Sequence, residues 1–403
     1  MRPILLRLSP LVLVAITAPI AALAAQNEDG RDIVVTAQSA DDTRRALEAC
    51  LARHCPPDED MRLTLAHAEN QFVSGDYRHA RETMLSSLGR NRRFGGQFPV
   101  EVSDLQRANA RVAAHLGEAQ AYMFSLSDMR QTLESAFGAD DARVLAARIE
   151  VADARGRLGY ADEARDRYGD VARDAAALHQ PRIAAFATIR TALLDMSVDK
   201  AARSASRVRA ARAALAQIAG DGANVGVDLA LVADVTLARF EREEGDMTRT
   251  NALIARFSHG EGAARPLLIS SEPIALPDRT NNPEDLVSNN AALQRLGPNV
   301  DNRWIDVGYW INADGRVSDV EVLRETGGGN WVQLVENSIK SRRYTPLRRE
   351  ASLGSPGFYM VERYTLTAHY RNDCTGSMLR CRDPQLTIER MDLTPEESAP
   401  AAS

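Results

Sequence analysis

The sequence predicts a mainly α-helical chain, a solenoid of helical hairpins followed by a small α+β domain. Three observations carry this. From about Asp41 to Phe257, apolar residues recur three and four apart in a stretch rich in Ala, Arg, Leu and Glu. Within it, Gly75, Gly117, Gly159 and Gly245 stand 42, 42 and 86 residues apart, the last spacing being two periods of 43. Beyond Gly260 the period changes: residues 304–311 alternate as a strand does, and Asn312-Ala313-Asp314-Gly315 follows as a hairpin turn.

The glycine series has a physical reading. Seven residues before each glycine stands Ala68, Ala110, Ala152 or Ala238, and five after stands Ala80, Tyr122, Ala164 or Thr250. The glycine marks the turn between two antiparallel helices. The small residue before it lets the partner helix approach closely. Each pair buries only one face, so pairs stack. One member of the series is missing near Ala201, inside a second helix expected over Asp199–Ile218. Ser74-Gly75-Asp76-Tyr77-Arg78-His79-Ala80 and Leu158-Gly159-Tyr160-Ala161-Asp162-Glu163-Ala164 resemble the turn of tetratricopeptide repeats, in their long-helix form. That resemblance covers about 215 residues and implies a scaffold for protein or peptide binding.

At the N-terminus, Arg2 and Arg7 precede an apolar run, Leu11 to Ala24, ending in Ala22-Leu23-Ala24. This is the layout of a secretory signal peptide. The run is 14 residues long and holds Pro19, whereas a spanning helix needs about 20. Cleavage is expected after Ala24, with export to the periplasm of a Gram-negative-type cell. The alternative is an uncleaved anchor stretched back to Leu8. The 403 residues carry 44% apolar and 26% charged side chains, as globular proteins do. Formal net charge is -6, or -8 without Arg2 and Arg7, which gives no electrostatic case for nucleic acid. Arg90, Arg92 and Arg93 read as a solvated loop.

Four cysteines form two close pairs, Cys50 with Cys55 and Cys374 with Cys381. In an oxidising compartment disulfides are the default. Three connectivities exist; the two local ones are favoured because each closes a small loop. A continuous helix would hold residues five apart too far for a bridge. The helix should therefore end near Cys50, and Pro56-Pro57 support a break there. These spacings are not those of zinc ribbons, and no metal site is expected.

Residues 261–302 hold five prolines and read as a linker with one short strand at Leu267–Ile274. Next, Ile305, Val307, Tyr309 and Ile311 share one face of a strand; Trp304, Asp306, Gly308 and Trp310 share the other. Val317 to Leu323 is the return strand. A helix is expected from Trp331 to about Arg343, opened by a capping box of Asn330 with Gln333. Phe358 to Tyr370 reads as a long third strand. The expected organisation is thus a signal peptide (1–24), a flexible segment (25–40), the helical repeats (41–260), the linker (261–302), the α+β domain (303–372), and a disulfide loop with tail (373–403).

Gly308 to Leu323, reading GYWINADGRVSDVEVL, resembles the opening hairpin of the TonB C-terminal domain, and Arg343-Tyr344-Thr345-Pro346 looks like that family's Arg-Tyr-x-Pro. The match runs over roughly residues 300–370. It implies a domain that grips outer-membrane receptors by pairing an edge strand with a short receptor segment, the TonB box. Tyr344 and Pro346 thereby become candidate partner-binding residues. The family's energy transducers keep an N-terminal membrane helix with a Ser and a His, and a Pro-rich spacer. Here no His precedes residue 54, and the repeats stand where the spacer would be. Asp32-Ile33-Val34-Val35-Thr36-Ala37-Gln38 in turn resembles a TonB box, with Ile33, Val34 and Val35 suited to strand addition. It could close an edge of its own sheet, most naturally the third strand, join a second copy, or dock on a true TonB.

None of the seven histidines forms a metal-ligand pair such as H-E-x-x-H, and no G-x-S-x-G elbow or P-loop occurs. Gly327-Gly328-Gly329 before a helix lacks the Lys-Ser/Thr of a phosphate cradle. The expectation is a non-enzymatic adaptor in the periplasm, without cofactor, metal or nucleic acid. Its partners would be envelope proteins or peptides, a TonB-dependent receptor or the TonB system, or itself. The alternatives are a membrane-anchored TonB-like transducer and an accessory or regulator of an envelope enzyme.

Overall fold

A computed structural model describes residues 39–197, 204–257, 266–276, 300–347, 357–371, 381–383 and 385–394. Residues 1–24, expected to be a signal peptide, and the Asp32–Gln38 segment lie outside the described residues. Among those described, twelve α-helices run first, with a 3-10 turn at Arg92–Phe94 between the third and fourth. They are α1 (Ala40–Ala52), α2 (Pro57–Val73), α3 (Tyr77–Asn91), α4 (Pro99–His115), α5 (Ala119–Phe137), α6 (Ala142–Arg157), α7 (Ala161–Ala177), α8 (Pro181–Ser197), α9 (Ala205–Gly220), α10 (Gly222–Val225), α11 (Val227–Glu243) and α12 (Thr248–Arg256). No described helix is long and apolar enough to cross a membrane.

Local chemistry sets these boundaries. α2 and α4 open on Pro57 and Pro99, whose missing N–H would have no partner there. Ser39 and Asp76 accept backbone N–H bonds at the starts of α1 and α3. α1 ends at Ala52; His54 turns to φ 54°, and Cys50 bridges Cys55 across a 5.1 Å Cα separation. Gly75, Gly117, Gly159 and Gly245 all take positive φ, between 72° and 91°. In each turn the following N–H reaches five residues back, as in Asp76 N–H to Gln71 O at 2.8 Å and Glu118 N–H to Ala113 O at 2.9 Å.

The expected repeat register is present. Ala68 is nearly buried, and Ala110, Ala152 and Ala238 are wholly so; Ala80, Tyr122, Ala164 and Thr250 are buried across from them. Apolar clusters hand over from pair to pair: α2–α4, then α4–α6, then α6–α8, then α8–α11. The pair that lacks a glycine differs from expectation. Its second helix, α9, starts at Ala205, and Ala201 lies outside the described residues. The Arg90-Arg92-Arg93 cluster also divides. Arg92 and Arg93 are exposed, but Arg90 forks onto buried Asp60 with two 2.8 Å bonds. Because the alanines sit where helices touch, Ala152→Leu or Ala238→Leu is expected to overpack the contact and cost about 1–3 kcal/mol. Ala161→Leu, at a turn and half-buried, should change the melting midpoint little; equal shifts at all three would contradict the register.

The C-terminal part holds β1 (Leu268–Ser270), β2 (Trp304–Ile311), β3 (Val317–Thr326), α13 (Asn330–Lys340), β4 (Arg343–Tyr344), β5 (Phe358–Thr367), β6 (Tyr370–Arg371), β7 (Cys381–Arg382) and β8 (Thr387–Asp392). A four-stranded antiparallel sheet has the order β3-β2-β5-β8. Gly315 at φ 78° closes the β2–β3 hairpin. Ile305, Val307, Tyr309 and Ile311 pack under Trp331, Val335 and Ile339 of α13, as their shared face requires.

Several expectations are corrected here. α13 ends at Lys340, because Arg342 turns its side chain into the core and Arg343–Tyr344 pairs with β1. Among the described residues no side chain caps α13; Gly329 precedes it, and Gln333 bonds Asn337 at 3.0 Å instead of reaching back. Residues 266–276 are built into the fold, since Ile269 inserts between α11 and α12 while Leu268 joins the sheet core. The disulfide loop with tail (373–403), for which no strand was expected, supplies β8.

Candidate interaction site

The sheet domain is seated on the turns of the first repeats, and one side chain organises the joint. Arg363 projects from β5 on the face away from α13 and is fully buried. Its Nε donates to Asp306 Oδ1 at 2.6 Å and its Nη2 to Oδ2 at 2.8 Å. Nη1 donates to Phe72 O at 2.6 Å and Nη2 to Val73 O at 2.7 Å. Those carbonyls belong to the last turn of α2, where helix carbonyls lack partners and the helix dipole is negative. The guanidinium also lies 4.0 Å from the Trp304 ring centroid. Asp306 takes a second arginine, Arg324, at 2.9 Å.

Two of the repeat glycines serve this joint. A Cβ on Gly75 would fall 2.2 Å from Trp304 Nε1, and one on Gly117 would fall 2.2 Å from Ala368 O. Tyr370 N–H donates to Gly117 O at 3.0 Å, and Arg382 Nη1 donates to Leu116 O at 3.3 Å. At Gly159 and Gly245 the same space is open. Among the described residues, the glycine therefore makes the turn in all four cases and admits the sheet domain at Gly75 and Gly117. Between these turns, Thr365 Oγ1 meets Tyr77 Oη at 2.9 Å and His115 Nδ1 at 2.8 Å. Arg157 of α6 reaches Glu389 of β8 at 3.3 Å.

Burial, with Arg363 and Arg157 nearby, pushes the His115 imidazole down to about 3. A histidine held neutral favours the fold fully above its unfolded value, near 6.5, and this contribution is lost as pH falls toward 3. The whole span corresponds to on the order of 3–5 kcal/mol. The His67 imidazole is lowered in the same direction, first by burial. The expected result is a melting temperature that falls steadily from pH 6.5 to 4.5. His115→Gln should flatten much of that slope, and an unchanged slope would remove His115 as the cause.

Behind the joint, inside the sheet domain, a second charged pair is enclosed. Arg342 donates to Glu362 Oε2 and Tyr309 Oη at 2.7 Å each and to Tyr364 Oη at 2.6 Å. Tyr344 Oη lies 2.9 Å from Tyr309 Oη. Burial acts to raise the Glu362 carboxyl, but Arg342, Arg390 and the bonds from Tyr364 and Arg342 outweigh it and hold the carboxyl low.

This geometry places the sequence-derived candidates. Tyr344 is buried with its hydroxyl in the arginine network, and Pro346 is buried as well. Both face the interior, so neither offers a surface to a partner. Ile33, Val34 and Val35 lie outside the described residues. The third strand, β5, is not an edge: Glu362 to Thr367 pair with Asp392 to Thr387 of β8. The outer strands of the described sheet are β3 and β8. Cys50 and Cys55 form the disulfide that the local pairing predicts. Cys381 is disulfide-bonded too, and Cys374 lies outside the described residues. Glu59 stands close enough to Cys50 and Cys55 to share an ion with them, but both sulfurs are bridged to each other. Sequence reasoning missed Arg363 and Glu362. The signal was available: two adjacent charges in the middle of an otherwise apolar strand must point to opposite faces, and each needs a buried partner.

No family model and no curated protein matches the chain. Among solved structures, it is similar to a kinesin light chain protein of Podosopora anserina with nearly identical TPR-like repeats, at 16% identity and a TM-score of 0.39, covering 51% of this chain and 95% of that one. It is similar to BtubC (BKLC) from P. vanneervenii at 16% identity and a TM-score of 0.42, covering 59% and 97%. It is also similar to a Rap protein complexed with competence and sporulation factor, at 12% identity and a TM-score of 0.38, covering 52% and 56%. All three scores lie below 0.5, and the repeat architecture of this chain stands on its own glycine turns and buried alanines.

Proposed function

We propose that the protein is an exported, non-enzymatic adaptor of the cell envelope. Its helical repeats hold a protein or peptide, and its sheet domain, resembling the TonB C-terminal domain, engages an envelope partner by strand addition. The observation that carries this reading is the polar joint between the two parts. Arg363, Thr365 and Arg382 bind the turns of the first repeats through buried polar contacts, so a partner held by one part is positioned relative to the other. The order β2, β3, α13, β5, interrupted only by the two-residue β4 that pairs with β1, supports the TonB-like reading, alongside the hairpin motif. Occupation of the β5 edge by β8 is a departure from it. It directs strand addition to β3 or β8, or requires β8 to leave first. Energy transduction is no part of the proposal.

The reading also includes docking of Asp32–Gln38, which resembles a TonB box, on a TonB domain; the test measures binding of the chain from Ala25 onward to an isolated TonB C-terminal domain, with Val35→Pro as control. Proline removes a backbone donor and should weaken strand pairing. Cross-linking in intact cells then asks whether the partner is an outer-membrane receptor or a TonB-system protein. Recovery of the protein from the cytoplasm with its first 24 residues intact would defeat the reading. Equal binding by wild type and Val35→Pro would remove Asp32–Gln38 from it.

A further inference from the structure

A cavity of about 780 Å³ opens between α11, the 268–276 segment, α13 and β8, on the side of the sheet away from the repeats' turns. We propose that it is a binding site for a monocarboxylate with an aliphatic body. The inference does not depend on which protein the repeats hold.

Two features of the lining point to this chemistry. The first is convergent positive charge. Arg239 of α11, Arg342 after α13 and Arg390 of β8 all line the cavity. They come from three elements far apart in sequence, so the fold brings them together. Arg239 donates to Ile269 O at 3.2 Å and makes no ion pair among the described residues. Arg390 reaches Glu362 only at 3.6 Å and is half-exposed. The Nη groups of Arg342 are engaged by Glu362 and the tyrosines, but its Nε is buried and finds no acceptor among the described residues. Glu362 is thus shared by two of the arginines, and Glu272 stands exposed in the lining. Burial first, and then Arg390 and Arg242, hold the Arg239 guanidinium below the ordinary arginine range. An added anion would relieve that repulsion.

The second feature is the wall. Leu268, Ile274, Leu276, Leu386 and Ile388 contribute to the same lining. An inorganic anion would leave this surface wet. A carboxylate on an aliphatic body would meet the arginine fork at one end and the apolar wall at the other. Ser271 and Ser338, whose hydroxyls lie 3.2 Å apart, add hydroxyl groups to the lining.

Two sources carry this chemistry: the C-terminus of a peptide ending in aliphatic residues, and a medium-chain fatty acid. Calorimetric titration of the full chain with the tripeptide Ala-Val-Leu and with decanoate separates them. Each is paired with its neutral counterpart, the peptide amide or decanamide. The expected result is that at least one acid binds, that its amide binds at least about tenfold more weakly, and that Arg239→Gln/Arg390→Gln reduces acid binding by a similar factor. Neither side chain is fully buried, so the double variant should fold. Ile388→Trp, which fills the cavity without touching charge, should also reduce binding. Binding of the tripeptide alone assigns the peptide source; binding of decanoate alone assigns the fatty acid. The proposal is overturned if neither acid binds at millimolar concentration, if acid and amide bind equally, or if the double variant binds as wild type does.

Discussion

Arg363→Met is expected to be the most damaging single substitution in the joint, costing about 3–5 kcal/mol. The reason is asymmetry. Asp306 is 1% exposed and, among the described residues, would be left with Arg324 as its one cationic partner. The carbonyls of Phe72 and Val73 would lose the donors that cap α2. Methionine matches much of the volume, so the loss is chiefly electrostatic rather than a void. Arg363→Met with Asp306→Leu should be milder than Arg363→Met alone, because the second change removes the stranded charge. Urea unfolding followed by tryptophan fluorescence reads the outcome, since Trp304 lies against Arg363. The single variant should also separate the unfolding of the sheet domain from that of the repeats. A loss below about 1 kcal/mol, or a double variant worse than the single, would show that the joint is held by its apolar contacts instead.

The parts of this fold legible in the sequence are those with a short-range cause. A glycine at positive φ after a helix, an alanine where helices cross, and Asp-Gly between alternating runs each need only a few neighbouring residues. The repeat register, the β2–β3 hairpin and the face of β2 under α13 followed from such signals. What escaped has long-range causes. Thr387 to Asp392 reads Thr-Ile-Glu-Arg-Met-Asp, with polar residues on both faces. It is a strand because β5 offers it an edge and Arg157 and Glu362 neutralise Glu389 and Arg390. The same holds for Gly75 and Gly117. Their role in the turn was readable, whereas their role in admitting Trp304 and Ala368 depends on residues more than two hundred positions away. Tyr344, a partner contact by its motif, is buried for the converse reason: a motif fixes a residue's identity but not which side of it faces the core.

Removal of the tail after Asp383 is expected to open the β5 edge. β8 covers that edge through pairs from Glu362–Asp392 to Thr367–Thr387, and Leu393 N–H adds a bond to Val361 O at 2.8 Å. Truncation would leave a row of backbone donors and acceptors exposed on an otherwise folded sheet, which is a template for another strand. The Arg342–Glu362 pair below would survive, but Arg390 and the apolar cover of Leu386 and Ile388 would be gone. Hydrogen exchange should show the β5 amides that faced β8 losing protection by at least about 100-fold, while those facing β2 stay protected. Sedimentation should show a shift from the wild-type species toward larger assemblies. Adding a peptide of residues 385–394 should reverse both effects. If the β5 amides stay protected and the sedimentation is unchanged, β8 is dispensable and the edge is covered by something else. If the truncated chain binds Asp32–Gln38 as a peptide and the full chain does not, β8 is the element that keeps the third strand from pairing, and any partner that adds there must first displace it.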